Sequence, residues 1–336
     1  MERCLQLAAT RLGYTAPNPM VASILVHQQT IIAEGIHQQA GTPHAEVNCL
    51  AAYDQLIEKP PLHQCILYVN LEPCSHTGKT PPCADLLIAR GIRHVVIGME
   101  DPNPLVAGNG IKRLKAAGIE VTGPVCEQEA RTLNKRFICY HEKKRPYIIL
   151  KWAQSADGYI GLPESRVTIS GVMAHQLAHL WRTQEQSILV GTNTIRTDAP
   201  QLTPRLVSGP QPLRVGIDRK RNTNWPQETN LPTLIFTESP APARNNVVFS
   251  TLDFSSPLLP QMTETLYQHQ VQSVLVEGGA NLLQQFIDWE WDEARVFRSN
   301  QTILNQGVPA PQLPVHSRIL ATQHLDTDSL TVYSKA

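Results

Sequence analysis

The 336-residue sequence lacks any apolar run near the roughly 20 residues that a membrane-spanning helix requires. Its first residues also lack a basic segment followed by an apolar stretch, so we expect no secretory signal and a cytoplasmic protein. Neither sign of charge is in excess, because 29 Lys and Arg residues balance 29 Asp and Glu residues. A chain without net charge has no field to attract a polyanion, so we expect neither nucleic acid nor a membrane as partner.

Cysteine is also scarce, with seven residues that show neither an even count nor compact disulfide spacing. This pattern is typical of a reducing compartment, where thiols stay free for metal binding or for the core. The length exceeds that of one usual hydrophobic core and therefore indicates about two domains.

Three motifs in the first half of the chain combine metal-binding side chains with a free carboxylate. They are His44-Ala45-Glu46, Glu72-Pro73-Cys74 and the cysteine Cys83. A hydrolytic zinc site keeps three protein ligands and leaves the fourth position to water, whereas a structural site fills all four. Zinc lowers the pKa of bound water from about 15.7 to about 7, and a nearby carboxylate can carry the remaining proton. The motifs thus predict zinc on His44, Cys74 and Cys83, with Glu46 as the catalytic acid and base.

Each of these residues also has an ordinary interpretation. His44 could be a polar residue that begins a helix, and free cysteines such as Cys74 and Cys83 are commonly buried in cores. Their joint occurrence, with a proline before Cys74, favours the zinc site of nucleobase deaminases. One departure is clear, because the general signature ends in Pro-Cys-x-x-Cys and here eight residues separate the two cysteines.

Hydrophobic periodicity predicts an α/β domain before residue 145 and a second one after it. In the first half we expect helices at 1–12, 45–56, 83–89 and 110–117 and strands at 21–26, 30–35, 65–69 and 94–98. In the second half we expect strands at 147–151, 188–190, 213–217, 233–236 and 273–276 and helices at 172–182, 260–269 and 280–287. Such alternation argues for a mostly parallel sheet with crossover helices. Loops are expected at 202–212 and 237–260, where proline and polar residues are frequent.

The charged run 141–145, which precedes Pro146, is the best candidate for a domain boundary. We interpret it as a solvated linker rather than a binding patch. The domains predicted from it are 1–145 and 146–336.

The sequence between the two cysteines, Ser75-His76-Thr77-Gly78-Lys79-Thr80-Pro81-Pro82, carries a resemblance to a known family. With Ala16-Pro17-Asn18-Pro19 upstream and Asp101-Pro102-Asn103-Pro104 downstream, it resembles the deaminase half of the bifunctional riboflavin-biosynthesis deaminase/reductases. The resemblance extends to about Arg145, and the remainder is similar, less closely, to the reductase half. It implies a cytidine-deaminase-like α/β/α sandwich followed by a dihydrofolate-reductase-like α/β domain.

The same resemblance implies two reactions. The first is deamination of a diaminopyrimidinone that carries a ribosylamino 5′-phosphate, and the second is NADPH-dependent reduction of its ribosyl group to ribityl. A homo-oligomer, either a dimer or a tetramer, is also expected. In the deaminase half, matching the motifs implies substrate contacts from Asn18, His37, His76, Lys79, Asp101 and Asn103. The family usually has glycine where Ala22 stands, which narrows the pocket by one methyl group.

Three segments match the reductase half: 151–158, 191–205 and Glu277-Gly278-Gly279-Ala280. Glycines between a strand and a helix let the backbone approach a cofactor phosphate. The resemblance implies cofactor contacts from Gln154, Thr168, Thr194, Asp198, Gly279, Ala280 and Asn281. It implies substrate contacts from Arg182, Leu202, Arg205 and Glu277, and Lys151 is the candidate polar group beside the reacting carbon. Arg219, in the basic turn 219–221, is a candidate for holding the NADPH 2′-phosphate, although such turns are as often merely solvated.

The second half also departs from the family. Arg166-Val167-Thr168-Ile169 replaces the usual Ser-x-Trp-Ile, and the segment after Glu277 soon loses its match. Two alternatives therefore stay open. One is a deaminase whose C-terminal domain is non-catalytic and serves assembly, and the other is a non-catalytic, zinc-stabilised binding protein. A fourth protein ligand on the metal would support the latter.

Overall fold

A computed structural model describes residues 1–76, 81–104, 106–163, 167–223 and 231–335. The chain forms two compact units, Met1–Lys144 and Arg145–Ala336. The division falls at the end of the charged run 141–145. Within the described residues, no helix is both long and apolar enough to cross a membrane.

The first unit alternates helices with the strands of one five-stranded sheet. Its elements are α1 (Glu2–Ala9), β1 (Ala22–His27), β2 (Thr30–Ile36), α2 (Ala45–Asp54), β3 (Ile66–Val69), α3 (Cys83–Ala89), β4 (His94–Ile97), α4 (Asn109–Ala116), β5 (Glu120–Thr122), α5 (Glu127–Leu133) and α6 (Lys135–Lys143). The strand order is β2-β1-β3-β4-β5. Strand β1 is antiparallel to β2 and β3, whereas β3, β4 and β5 are parallel.

Strand alternation sends side chains of this sheet to two separate cores. Leu25 belongs to a cluster that includes side chains of α2, α3 and α4. Ala22, on the opposite face of the same strand, packs with Ala8 of α1. Because successive strand residues point to opposite faces, helices cover both sides of the sheet. The parallel strands β3 and β4 end on the same edge, which is where open α/β sheets place their sites.

The second unit is built on a nine-stranded sheet. Its elements are β6 (Tyr147–Gln154), β7 (Tyr159–Gly161), α7 (Val172–Gln184), β8 (Ser187–Val190), α8 (Thr192–Asp198), β9 (Leu213–Ile217), β10 (Thr233–Thr237), β11 (Val247–Thr251), α9 (Leu258–Gln268), β12 (Ser273–Val276), α10 (Ala280–Trp289), β13 (Glu293–Ser299), β14 (Val308–Pro309), β15 (Arg318–Leu325) and β16 (Asp328–Ser334). The large sheet has the order β11-β10-β9-β8-β12-β6-β13-β16-β15, and β7 pairs with β14 separately.

The six pairings from β11 to β13 are parallel, as the alternation of strands and helices predicted. The last two strands are antiparallel and extend the sheet by β16 and β15. These strands lie in the C-terminal segment that matched no family pattern. Strands β15 and β16 form a hairpin with each other, and β16 also pairs with β13, whose residues lie 29 to 41 positions earlier in the chain.

Two expectations about loops and linkers are wrong. The segment 237–260 contains β11, whose Val247-Val248-Phe249 has high β-propensity and pairs in parallel with β10. The charged run 141–145 is solvated at 142–144, but it is not a free linker, since 141–143 belong to α6. Arg145 is buried and pairs with Asp292, with Nη1 2.5 Å from Oδ2. A charged residue is stable there because its partner is buried with it.

Candidate functional site

The three predicted zinc ligands lie together in the first unit. His44 precedes α2 in an extended conformation, Cys74 follows β3, and Cys83 begins α3. His44 Nδ1 is 3.6 Å from Cys74 Sγ and 3.3 Å from Cys83 Sγ. Tetrahedral zinc, with ligand bonds of about 2.0–2.3 Å, requires neighbouring ligand atoms roughly 3.3–3.8 Å apart. The donor set and its spacing therefore fit zinc without rearrangement.

The ligand set leaves room for a fourth, non-protein ligand. Among the residues that the structure describes, no further His, Cys, Asp or Glu joins the cluster of His44, Cys74 and Cys83. The backbone N–H of Cys83 donates a hydrogen bond to Cys74 Sγ. A hydrogen bond with the Cys83 thiol and another with His44 lower the pKa of Cys74, although burial opposes them. These contacts favour the thiolate, which is the form that binds a metal.

Glu46 lies in the first turn of α2, two residues after the predicted ligand His44, and only 3 % of it is exposed. Burial raises the pKa of its carboxyl to about 7, and the nearby Cys74 thiolate adds to the increase. A carboxyl with a pKa in this range can both accept and donate a proton near neutral pH. Its position and environment suit the predicted acid and base.

Asn18 and His37 form a hydrogen-bonded pair next to the ligand His44. Asn18 Nδ2 is 3.0 Å from His37 Nε2, and His37 Nδ1 is 3.1 Å from the carbonyl oxygen of Pro43. Since Nδ1 must donate to the Pro43 carbonyl, Nε2 is the acceptor for the Asn18 amide. The rings of His37 and His44 meet edge to face, with centroids 5.5 Å apart. Burial lowers the pKa of His37, which keeps this neutral tautomer.

Glu72 ties the loop after β4 to the strand that leads to Cys74. Its Oε2 accepts the N–H groups of Asp101 and Gly108, and its Oε1 accepts that of Ile111. Asp101 in turn accepts the N–H of Asn103. Burial raises the pKa of Asp101 to about 7, and the Glu72 charge adds to the increase. The sequence alone indicated no role for Glu72. A carboxylate directly before Pro73-Cys74 was the signal that could have pointed to one.

Two further residues that are expected to bind the deaminase substrate follow Cys74 in the sequence. His76 is exposed at the end of the described part of the loop between Cys74 and Cys83, and Lys79 lies outside the described residues.

A β-carbon on Gly110 would lie 2.0 Å from the carbonyl oxygen of Pro73, so only glycine allows α4 to approach the segment that leads to Cys74 this closely.

A cleft of about 1050 Å³ opens in the second unit, lined by residues that follow β8, β9 and β12. Most of the residues expected to bind cofactor or substrate line it: Lys151, Thr168, Arg182, Thr194, Asp198, Leu202, Arg205, Glu277, Gly279, Ala280 and Asn281. Its volume is at the upper end of typical ligand pockets, which run from roughly 300 to 1,000 Å³. The tertiary structure therefore brings together three segments that are far apart in sequence.

Two helix N-termini open onto this cleft. Gly191 precedes α8 and Gly279 precedes α10, both in an extended conformation. The first N–H groups of a helix have no partner within it and can bind a phosphate. A β-carbon on Gly278 would lie 2.8 Å from Leu282 Cδ2, so a side chain there would disturb the turn. The arrangement fits the pyrophosphate of a dinucleotide.

Two expected cofactor residues have other partners. Gln154 Oε1 accepts the indole N–H of Trp152, and Gln154 is not among the cleft-lining residues. Arg219 forms an ion pair with Glu238, lies over the ring of Phe254, and is also absent from the cleft lining.

Charged groups are concentrated at the base of the cleft. Arg182 and Glu277 form an ion pair, with Nη2 2.7 Å from Oε2. Burial lowers the pKa of Lys151, although the Glu277 charge partly offsets it. A lysine with a lowered pKa can hold or release a proton more readily than a solvated one.

Comparisons with known proteins agree with both units. Residues 1–99 match the family model of the cytidine and deoxycytidylate deaminase zinc-binding region, and residues 146–297 match that of the RibD C-terminal domain. The chain is 36% identical over 326 residues to riboflavin biosynthesis protein RibD of Aquifex aeolicus, covering 94% of this chain and 90% of that protein. The chain belongs to the RibD family. RibD of Synechocystis is 40% identical over 299 residues, or 85% of this chain and 79% of that one.

Solved RibD-family structures superpose over the whole chain. A Thermotoga maritima crystal structure of a diaminohydroxyphosphoribosylaminopyrimidine deaminase/5-amino-6-(5-phosphoribosylamino)uracil reductase has a TM-score of 0.91 and 36% identity, covering 100% of this chain and 97% of that one. RibD of Acinetobacter baumannii has a TM-score of 0.89 and 31% identity with the same coverage. The predicted fold class is confirmed.

Membership of the RibD family also confirms the predicted activity. The chain is a bifunctional enzyme of riboflavin biosynthesis with a zinc-dependent deaminase domain and an NADPH-dependent reductase domain. The roles of individual residues at the two sites stay predictions.

Proposed function

We propose that the first unit deaminates a diaminopyrimidinone bearing a ribosylamino 5′-phosphate and that the second unit then reduces the ribosyl group to ribityl. The main support is the pairing of a three-ligand centre beside a buried carboxyl with a separate cleft onto which two helix N-termini open. In this proposal the first unit carries out the deamination with zinc, and the second unit carries out the reduction with NADPH.

In the deaminase site we propose His44, Cys74 and Cys83 as the zinc ligands. Zinc bound there supplies the Lewis acid that activates water for attack on the carbon carrying the amino group. Glu46 would accept the two protons of the attacking water in turn and pass one to the ring nitrogen and the other to the departing amine, so that the carbon–oxygen bond forms, the carbon–nitrogen bond breaks, ammonia leaves and a carbonyl remains. Its pKa of about 7 suits both transfers.

Substrate recognition in this unit falls to groups on two sides of the zinc centre. Asn18 and His37 contact the pyrimidine, because their pair lies against the ring of His44. The ribosyl phosphate is held by the loop that contains Asp101 and Asn103 together with the loop after Cys74. The latter supplies two further substrate residues, His76 and Lys79.

NADPH bound in the reductase cleft would supply a hydride to the ribosyl carbon that bears the nitrogen, while the bond from this carbon to the ring oxygen breaks and the oxygen takes a proton, which gives the open-chain ribityl group. We propose that backbone N–H groups at Gly279, Ala280 and Asn281 hold its pyrophosphate, with Thr194 and Asp198 alongside. Lys151 lies beside the reacting carbon and orients it, and Arg205 binds the substrate phosphate. Thr168, exposed on the cleft wall, occupies the position where the family usually has tryptophan.

We also propose a homo-oligomer, a dimer or tetramer, located in the cytoplasm. Strand β15 supports self-association, since among the described strands it pairs with β16 alone, and seven of its eight residues are exposed. Sheet edges of this kind commonly pair with a second chain. Sedimentation of the full chain would measure the assembly directly.

The order of the two reactions can be tested with Glu46→Gln, which removes the proton carrier and keeps its shape. With the diamino substrate, the parent should release one ammonia and oxidise one NADPH per turnover. Glu46→Gln should lose both signals by about 10²–10⁴-fold, yet oxidise NADPH at the parent rate when the deaminated substrate is supplied. Glu58→Gln, at an exposed position, is the matched control. If Glu46→Gln still oxidises NADPH with the diamino substrate, the proposed order is wrong.

A further inference from the structure

Two buried asparagines hold the backbone of Met20. Asn134 Oδ1 accepts the Met20 N–H at 2.8 Å, and Asn134 Nδ2 donates to the Met20 carbonyl oxygen at 3.1 Å. Asn70 Nδ2 donates to the same oxygen at 2.9 Å, while Asn70 Oδ1 accepts the Ala22 N–H at 2.8 Å. Asn70 is fully buried and Asn134 is 1 % exposed. Each amide is satisfied in only one orientation, because the carbonyl requires donors and the N–H groups require acceptors.

Just before β1, these side-chain contacts take the place of the backbone hydrogen bonds that a neighbouring strand would supply to Met20. The segment 10–21 contains no helix or strand, and its conformation depends on turns such as the hydrogen bond from Asn18 N–H to the Thr15 carbonyl. Both backbone polar groups of Met20 are occupied by side chains. Asn70 and Asn134 therefore fix the loop that carries Asn18 at Met20, two residues after Asn18.

Asn18 itself reaches the zinc centre through His37. Its Nδ2 donates to His37, and across the described part of the chain its Oδ1 has no protein hydrogen-bond partner. An amide that is oriented by one bond and open at its oxygen can accept a hydrogen bond from a pyrimidine amino or ring N–H group. The strength of such a bond depends on where the loop holds the Asn18 amide, because hydrogen bonds weaken steeply as their distance and angle depart from the optimum.

We propose that Asn134 is a positioning residue of the deaminase, which fixes Asn18 for recognition of the pyrimidine by holding Met20. Asn134 lies between α5 and α6, 114 residues from Met20, and contacts neither the zinc ligands nor Glu46 in the described structure. This inference rests on the proposed contact between Asn18 and the pyrimidine. It assigns a role in substrate recognition to a helix junction outside the site.

The test is a double-mutant cycle in the full chain with zinc bound. Asn18→Ala, Asn134→Ala and the double variant are compared with the parent for ammonia release from the diamino substrate. We expect Asn134→Ala to raise KM by about tenfold with kcat and zinc content nearly unchanged. The double variant should have the KM of Asn18→Ala alone, because Asn134 acts only through Asn18. Tyr53→Phe removes one buried hydrogen bond of the same unit, to the Pro60 carbonyl, and should keep the parent KM.

Each other outcome overturns the proposal in a distinguishable way. An unchanged KM in Asn134→Ala, or a double variant whose KM is the product of the two single effects, removes the positioning role and leaves the proposed function intact. An unchanged KM in Asn18→Ala removes the proposed pyrimidine contact as well. If Asn134→Ala does not fold, Asn134→Ser is judged by the same criteria, because the hydroxyl is neutral and polar but too short to hold both the N–H and the carbonyl of Met20.

Discussion

Arg182 and Glu277 form a two-point ion pair inside the reductase cleft, with Nη2 2.7 Å from Oε2 and Nε 3.1 Å from Oε1. The remaining nitrogen of Arg182, Nη1, donates to the Thr203 carbonyl oxygen. Each of the three guanidinium nitrogens therefore already has one protein acceptor. Arg205 is exposed on the cleft lining and has no ion-pair partner among the described residues. Of the two arginines expected to bind the substrate phosphate, Arg205 is the one available for it.

Replacing Arg205 with alanine should weaken use of the deaminated substrate. A charge-assisted contact contributes about 1.5–3 kcal/mol, which corresponds to a KM increase of roughly 10- to 150-fold. The dissociation constant of NADPH should not change. Steady-state NADPH oxidation and NADPH titration measure the two effects, with Arg244→Ala, at an exposed arginine outside the cleft lining, as control. A KM within twofold of the parent would contradict the assignment.

Acid should weaken the second unit through Glu277. Burial alone would raise the pKa of this carboxyl, but the charges of Arg182 and Lys151 lower it to about 2 from a usual value of 4.5. Because the folded pKa lies below the unfolded one, the stabilisation is complete above about pH 4.5 and is lost as pH falls towards 2. The shift corresponds to on the order of 3 kcal/mol.

Tryptophan fluorescence can follow this effect in the full chain. All five tryptophans lie after residue 145, so their signal reports on the second unit alone. Between pH 5 and pH 3 the urea midpoint should fall more for the parent than for Glu277→Gln. Glu264→Gln, at an exposed position of α9, should keep the parent slope. Equal slopes for parent and Glu277→Gln would show that the ion pair does not carry the pH dependence.

Zinc removal should separate the two activities. Chelation should abolish ammonia release, while NADPH oxidation with the deaminated substrate should persist, since the three ligands and the cleft belong to different units. Cys83→Ser should lose zinc, whereas Cys65→Ser, at a buried thiol outside the cluster, should retain it. Metal analysis and the two assays check this. Full zinc content in Cys83→Ser would refute the ligand assignment.

Replacing Glu72 with glutamine should loosen the loop that contains Asp101 and Asn103. The carboxylate accepts three backbone N–H groups on its two oxygens. Glutamine keeps one acceptor oxygen, but its NH₂ group cannot accept and leaves at least one of these N–H groups without a partner. The expected loss is about 1–3 kcal/mol of local stability. Hydrogen exchange of residues 106–116 should accelerate, and Glu142→Gln on α6 provides an exposed control. Unchanged exchange in this segment would mean that other contacts hold the loop.

Local sequence was sufficient for many elements and for the candidate cluster of metal-binding side chains. The helix Cys83–Ala89 and the strands Leu213–Ile217 and Ser273–Val276 have the predicted bounds, because their periodicity and flanking residues act over short distances. The proximity of His44, Cys74 and Cys83 was predictable for a similar reason, since ligand chemistry restricts the residue types and the strand-to-loop context restricts their place. Strand β11 was missed because polar and proline-rich neighbours concealed a short apolar run.

Contacts between distant residues left no local signal. Asn134 and Met20 are 114 positions apart, and Arg182 and Glu277 are 95 positions apart. A single sequence does not indicate that such side chains meet, because neither helical nor strand periodicity constrains them. The buried position of Arg145 was hidden in the same way, since its partner Asp292 lies 147 residues further along.

The sequence by itself determined the ligand types, the alternation of strands and helices, and the two-domain organisation of a zinc deaminase and a reductase. Only the tertiary structure decided which arginine is available for phosphate, which carboxylate holds the loop after β4, and which asparagines fix the loop of Asn18. The physical reason is that residue type and periodicity are local properties. Charge pairing, hydrogen-bond satisfaction and burial depend on which distant segments pack together.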